Sequence, residues 1–328
     1  MKRLSSCFSV LCIIAAFSNC GRPTLKSKKY SIAVIPKGTT NEFWNTVHAG
    51  ALKAEQEFRA QGLDVTIVWK GPFREDDREQ QIQVVESFLS QGVSGIVLAP
   101  LDRRALVRPV EEAARAGIPT VIFDSALDYG GAVSFVATDN TKGGELAADR
   151  IGSLLQGKGK VILLRYQEGS ASTHDREEGF LGRIKSYPGI EVVSSDQYAG
   201  PTRDTAKRAA ENLLNRYGGE VQGIFCPQEA STAGMLLALQ DLGKAGQIIL
   251  VGFDGTQAFV DAVRKKQMHG FVLQNPFNIG YLGVKTMVEH LQGKQVEKRI
   301  DTGVIVVTQE NLDAPETRAL LDPQGSPR

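Results

Sequence analysis

Short, apolar, β-branched runs alternate with longer amphipathic runs along almost the whole chain, and no other feature restricts the fold as strongly. Stretches 31–35, 65–69, 95–99, 120–123 and 134–137 read as buried strands. Between them, a helix opening at Asn41 carries Val47, Ala51, Ala54 and Phe58 at helical spacing, and helices over 75–91 and 105–116 end near Gly92 and Gly117. The scheme then starts again. Helices over 140–155, 173–185, 204–217 and 230–242 are interleaved with strands over 161–165, 190–193, 223–226 and 248–253. A helix over 257–265, a strand at 270–274, a helix over 279–292 and a strand at 304–307 complete it. Strand-helix alternation at this spacing requires right-handed crossovers, so the expected fold is α/β, with two doubly wound Rossmann-like lobes and a cleft between them.

Ahead of this array stand a charged Met1-Lys2-Arg3 and an apolar run over 4–17, too short to span a bilayer, which reads as a secretory signal over 1–20. The signal ends at or before Cys20. A cysteine there suggests a lipidation site, although Phe17 and Asn19 depart from the usual lipobox and plain cleavage is the alternative. A polar stretch over 21–29 reads as a tether. Beyond Cys20 the remaining cysteine is Cys226, so an exported chain of this kind has no disulfide framework and relies on its apolar cores. The formal net charge of +1 gives no basic excess for nucleic acid. The 328 residues fit about two domains at roughly 150 residues each. Prolines 315, 323 and 327 mark 315–328 as a tail of surface or irregular chain.

Open α/β sheets bind ligands beyond the carboxyl ends of their strands. The residues there are Lys37 and Asn41, Asp124, the 169–176 loop with His174 and Arg176, Gln228 and Glu229, Asp254, and Gln274, with Phe43 and Trp44 at the first helix start. Carboxylates and amides exchange paired hydrogen bonds with neighbouring hydroxyls, and the aromatics can cover the C–H face of a sugar ring, so the set suits a polyol or pyranose. Each member also has a plainer reading. Asp124 and Asp254 could cap loops, Arg176 could lie on a solvated helix face, and Trp44 could be core. No GxxxxGK[ST], GxGxxG or Gly-x-Ser-x-Gly pattern occurs at the relevant positions, and the four scattered histidines show no metal-ligand spacing, so no metal, cofactor or catalytic residue is expected.

Five segments carry a resemblance: Asn41-Glu-Phe-Trp44, Ala137-Thr-Asp-Asn140, Arg176-Glu-Glu-Gly-Phe180, Val251-Gly-Phe-Asp-Gly255 and Leu273-Gln-Asn-Pro276. Together they make the chain, from Ser31 to about Val307, similar to the ribose-binding branch of the periplasmic type I solute-binding proteins, whose fold is shared by the effector domains of lac-repressor-type regulators. The resemblance implies that Asn41, Phe43 and Trp44 contact sugar from one lobe, that Asp124 chelates hydroxyls, that Lys37 matches a lysine used by hexose-binding relatives, and that Gln228, Asp254 and Gln274 act from the other lobe. Ser125 and His174 stand where the family often has arginine, and Gln228 where it usually has asparagine. Loss of two guanidinium forks argues against ribose itself, with Arg176 close enough to compensate.

The resemblance also implies a three-segment hinge near Thr138, Asp139, Asn275 and Gly303, with one lobe over 30–138 plus 275–303 and the other over 139–274 plus 304–314. The function implied is that of an exported, non-enzymatic, monomeric carbohydrate-binding protein. It would close around a monosaccharide and deliver it to the membrane subunits of an ATP-binding-cassette importer, in the periplasm or cell envelope, with any membrane attachment through lipid at Cys20. A sensory receptor presenting a sugar or furanose-like signal to a membrane kinase or chemoreceptor is the alternative. A repressor is disfavoured because no helix-turn-helix precedes Ser31, and an enzyme because neither nucleotide fingerprint nor nucleophile is found.

Overall fold

The computed structural model describes residues 29–323, so the signal, Cys20, the tether apart from Lys29 and the tail from 324 onward lie outside the described residues. The first lobe is built on β1 (Lys29–Ile35), α1 (Glu42–Ala60), β2 (Asp64–Trp69), α2 (Arg78–Gln91), β3 (Gly95–Leu98), α3 (Val107–Arg115), β4 (Thr120–Phe123) and β5 (Ser134–Ala137). The second follows with α4 (Asn140–Leu154), β6 (Lys158–Leu163), α5 (Ala171–Ile184), β7 (Gly189–Ser194), α6 (Arg203–Tyr217), β8 (Gly223–Phe225), α7 (Glu229–Asp241), β9 (Ile249–Phe253), α8 (Gln257–Arg264) and β10 (Gly270–Gln274). The chain then returns through α9 (Pro276–Leu291) and β11 (Arg299–Asp301), and ends with β12 (Val304–Val307) and α10 (Pro315–Leu321).

Two six-stranded sheets result, in the orders β11-β5-β4-β3-β1-β2 and β12-β10-β9-β8-β6-β7. Every pairing is parallel except that of β10 with β12. This is the two-lobed α/β architecture of type I periplasmic binding proteins. In each sheet the strand order reverses beside the lobe's first strand, β1 or β6, and the crevice at such a reversal is where open sheets hold ligands. Central strands such as β3 and β4 are buried along their length, as their unbroken apolar sequences require.

Two helix pairs pack backbone to backbone. A Cβ at Gly50 of α1 would collide with the carbonyl oxygen of Phe277 in α9, and one at Gly280 of α9 with that of Val47. Gly144 of α4 and Gly179 of α5 repeat the arrangement in the second lobe, against Arg176 and Thr141. Only glycine permits that approach.

The chain crosses between the sheets three times, and the crossings are tied side by side. Thr138 Oγ1 donates to Gln274 Oε1 at 2.9 Å and lies 3.3 Å from Thr302 Oγ1. Asp301 Oδ1 accepts the amides of Asp139 at 3.2 Å and Gly303 at 3.0 Å. Asn275 caps α9 by accepting from the Asn278 amide.

Three local features differ from the sequence reading. The second helix begins at Arg78 rather than at residue 75, because Asp77 accepts the Gln80 amide as its cap. The short edge strand β11 carries no apolar signal. Residues 315–321 form α10 rather than irregular chain: Pro315 sits in its first turn, where a missing amide is no loss, and Leu320 and Leu321 pack on the second lobe's core.

Candidate functional site

Loops from both sheets meet at one small interlobe cavity. It is lined by Lys37, Asn41, Phe43, Trp44, Glu75 and Asp124 from the first lobe, and by Tyr166, Ser172, Thr173, Arg176, Gln228, Glu229, Asp254 and Gln274 from the second. Nine of the residues singled out from sequence as ligand contacts are therefore brought together here.

The other two are not. Ser125 is buried beside the cavity, where its Oγ accepts the Ser172 amide at 3.1 Å, a structural bond between lobes. His174 is exposed and lines a separate depression with Arg103, Arg165 and Tyr198. On α5 the residue two positions on, Arg176, faces inward instead, and a helix cannot turn both to one side.

Lys37 Nζ lies 3.2 Å from Asp124 Oδ2 and donates to Ser172 Oγ at 2.9 Å. Arg176 is buried despite its charge: Nε donates to Asn140 Oδ1 at 2.8 Å, Nη1 to the Pro227 carbonyl at 2.9 Å, and the guanidinium lies 3.7 Å over the Phe253 ring. Asp254 Oδ1 accepts from Gln274 Nε2 at 2.7 Å. Gln228 Oε1 accepts the Ala230 and Ser231 amides and caps α7. The plainer readings of Asp124, Asp254 and Arg176 as loop caps or solvated surface do not hold.

Asn41 occupies the cap position of α1, yet its side chain makes no capping bond; Nδ2 donates to Glu75 Oε1 at 2.8 Å. The same oxygen accepts Trp44 Nε1 at 2.7 Å, and Glu75 Oε2 accepts the Tyr166 hydroxyl at 2.7 Å across the lobe boundary. Glu75 and Tyr166 were not among the residues singled out from sequence. Trp44 packs edge-on against Phe43, with centroids 4.9 Å apart, and against Phe123 at 6.2 Å. It belongs to the first lobe's core and lines the cavity as well.

The lobes touch through further bonds. Gln167 Nε2 donates to the Glu75 carbonyl at 2.8 Å, Arg78 Nη2 to that of Glu168 at 2.9 Å, and the Arg103 amide to that of Gly169 at 3.0 Å. The arrangement is a closed one.

Burial governs the electrostatics. Desolvation raises the Asp254 carboxyl above the ordinary range, opposed chiefly by Arg176. Glu229 is pushed up to about 8, first by burial and then by Asp254 and Glu75. It can therefore donate as well as accept near neutral pH. Four carboxyl groups face two cations in this cavity. That balance disfavours an anionic ligand and suits a neutral one whose hydroxyls both donate and accept. Among the described residues no cluster of His, Cys, Asp or Glu could hold a metal ion, and no helix is long and apolar enough to cross a membrane. Cys226 is buried, and desolvation raises its thiol pKa, opposite to what a nucleophile needs.

Two doubly wound lobes closed on a polar, aromatic-flanked cavity define a solute-binding protein. The chain belongs to the periplasmic binding protein domain family, whose model matches residues 32–295. It is 30% identical over 309 residues to the ribose import binding protein of Haemophilus influenzae, covering 94% of this chain and 100% of that one. It is 32% identical over 268 residues to the D-allose-binding periplasmic protein of Escherichia coli, covering 78% and 83%. An ABC transporter solute-binding protein from Agrobacterium vitis, solved with bound D-fucose, superposes with a TM-score of 0.84 at 35% identity, covering 89% of this chain and 99% of that one.

Proposed function

We propose that this chain is the periplasmic sugar-capturing component of an ATP-binding-cassette importer, and that the cavity holding Lys37, Asn41, Asp124, Arg176, Asp254 and Gln274 binds a neutral monosaccharide. The observation that carries the reading is the convergence, from both lobes, of carboxylates and buried cations beside Phe43 and Trp44. The relatives named as binding ribose and allose, and the neighbour solved with D-fucose, support the ligand class. Arg176 is the one guanidinium in the cavity, with Ser125 and His174 outside it, which favours a sugar other than ribose.

The lobes of this reading comprise 30–138 with 275–303 and 139–274 with 304–314, α10 joining the second. Thr138, Asp139, Asn275 and Gly303 take up the rotation between open and closed forms. Sugar that touches both lobes favours the closed form, which the membrane subunits read. Export is directed by the segment over 1–20, with Cys20 as the attachment point if the chain is lipidated; the folded part works as a monomer and catalyses nothing.

The test is ligand-dependent melting of mature protein, first unfolded and refolded to strip carried-over ligand, against pentoses, hexoses and polyols. A ligand that binds only the folded state raises the melting temperature. One or two sugars should do so clearly; a panel with no shift refutes the reading.

A further inference from the structure

We infer that the cleft continues past the monosaccharide cavity into a second subsite, which takes the neutral ring substituent of a glycoside or disaccharide. The inference rests on the sugar reading of the cleft. In this shut form the inner cavity has a volume of only 30 Å³, room for a water or two, so its side chains must draw apart to admit a ring, whereas a separate space of 320 Å³ is lined in part by the same residues. Phe43, Asp254 and Gln274 line both, so these side chains stand between the two spaces. On this inference a ring in the inner cavity presents a hydroxyl to the Asp254–Gln274 pair, and a substituent on that hydroxyl displaces or passes the pair to reach the larger space.

The outer space has walls from both lobes and a wall of its own. Thr46 of α1 stands on one side and Val260 of α8 on the other, and Leu312, Arg318 and Leu321 close it from the end of the chain. Those last residues lie beyond the 32–295 stretch that matches the family. They are fixed in place rather than loosely laid: Thr317 is fully buried, Leu321 packs toward Gly255, and Asp313 Oδ1 accepts from Arg264 Nη2 and Arg318 Nη2, each at 3.0 Å. With both guanidinium groups engaged by Asp313, and with Glu42 and Asp322 on the same walls, nothing there calls for a phosphate or carboxylate. Aliphatic side chains set among hydroxyl and amide groups suit a second sugar ring or an aryl group, which presents an apolar face and a polar edge.

Calorimetry on the refolded mature protein tests this, using the free sugar that gives the largest melting shift, its methyl and p-nitrophenyl glycosides, and a disaccharide carrying it at the non-reducing end. At least one ring-bearing derivative should bind within about tenfold of the free sugar or tighter. Thr46→Trp, which fills the space, and Arg318→Ala, which loosens its wall, should each weaken that derivative by about tenfold or more and leave the free sugar unchanged. Thr46 Oγ1 donates to the Glu42 carbonyl one turn back on its own helix, so among the described residues its replacement breaks no side-chain hydrogen bond to another element. If the free sugar binds while every ring-bearing derivative is about a hundredfold weaker or worse, or if Thr46→Trp weakens both alike, the second subsite is refuted and the sugar reading stands. If neither class binds, both fall.

Discussion

Asp124 and Asp254 are counterparts in the two lobes: each follows the phenylalanine that ends its strand, each donates its amide to the adjacent strand, at Val136 and Val272, and each has a left-handed backbone, with φ of 62° and 68°. That conformation costs an L-residue roughly 1–2 kcal/mol. Aspartate tolerates it better than most residues, and strain paired with a cavity-facing carboxylate is what the proposed binding role of both would call for.

Asp254→Asn keeps a residue that tolerates this backbone and removes the charge. Sugar affinity should fall by about 10- to 100-fold, from roughly 1–3 kcal/mol of lost or unpaired hydrogen bonding, with the melting temperature of the free protein nearly unchanged. Unaltered affinity in the folded variant would remove Asp254 from the site.

Tyr166→Phe takes away the hydroxyl that reaches Glu75 across the lobe boundary. Because the bond joins lobes rather than stabilising either one, the variant should melt normally while closing less readily. Small-angle scattering with sugar present should show a larger radius of gyration than the parent at equal saturation. Identical curves would mean the bond contributes nothing to closure.

Trp44→Ala removes a side chain that is 2% exposed and shared between the core and the cavity. The expected loss is about 3–5 kcal/mol of first-lobe stability, so its effect on binding cannot be separated from unfolding. Trp44→Phe preserves much of the packing and deletes the donor to Glu75; affinity should drop while denaturant melts stay cooperative.

Glu229 gives a pH dependence of defined sign. Its carboxyl is raised from 4.5 to about 8 in the folded chain, so the folded state holds that proton more tightly than the unfolded state. The stabilisation is complete below the unfolded value and is lost as pH climbs toward the folded one. Melting curves of parent and Glu229→Gln should diverge between about pH 5 and 8, the parent losing ground as pH rises. Parallel curves would contradict the assignment.

Gly280→Ala should cost about 1–3 kcal/mol or more, because the new methyl meets a carbonyl oxygen of α1 that cannot move without its helix. Gly144→Ala should do the same in the second lobe. Melting temperatures equal to the parent's would mean these helix pairs are looser than they stand.

The layout was legible because buried parallel strands announce themselves as continuous apolar runs, and because ligands gather at strand ends. That rule alone found Lys37, Asn41, Asp124, Gln228, Asp254 and Gln274. Glu75 obeys it too, since it follows β2, but a helix drawn from residue 75 hid it; the capping aspartate at 77 was the signal that places it in a loop. Tyr166 sits one residue past the strand read at 161–165, whereas the hydrogen-bonding residues that mark this strand end in the sequence begin at 169. His174 failed for a different reason: resemblance supplies a position in the alignment, whereas the turn of α5 decides which side chain points inward. The edge strand β11 and the helix α10 are short and depend on tertiary contacts, which periodicity does not record.

The bonds that Lys37, Ser125, Glu75, Arg78 and Arg103 make across the cleft have a cost in signal quality. They favour the shut form whether or not cargo is inside, and sugar can add only its own differential affinity to that bias. Driving a population from 1:99 to 99:1 takes about 5.5 kcal/mol, and every increment supplied by these built-in contacts raises the idle shut fraction instead. An importer that reads shape alone would then hydrolyse ATP on false positives, so the strength of these few contacts sets an upper limit on how faithfully fuel use can follow delivery.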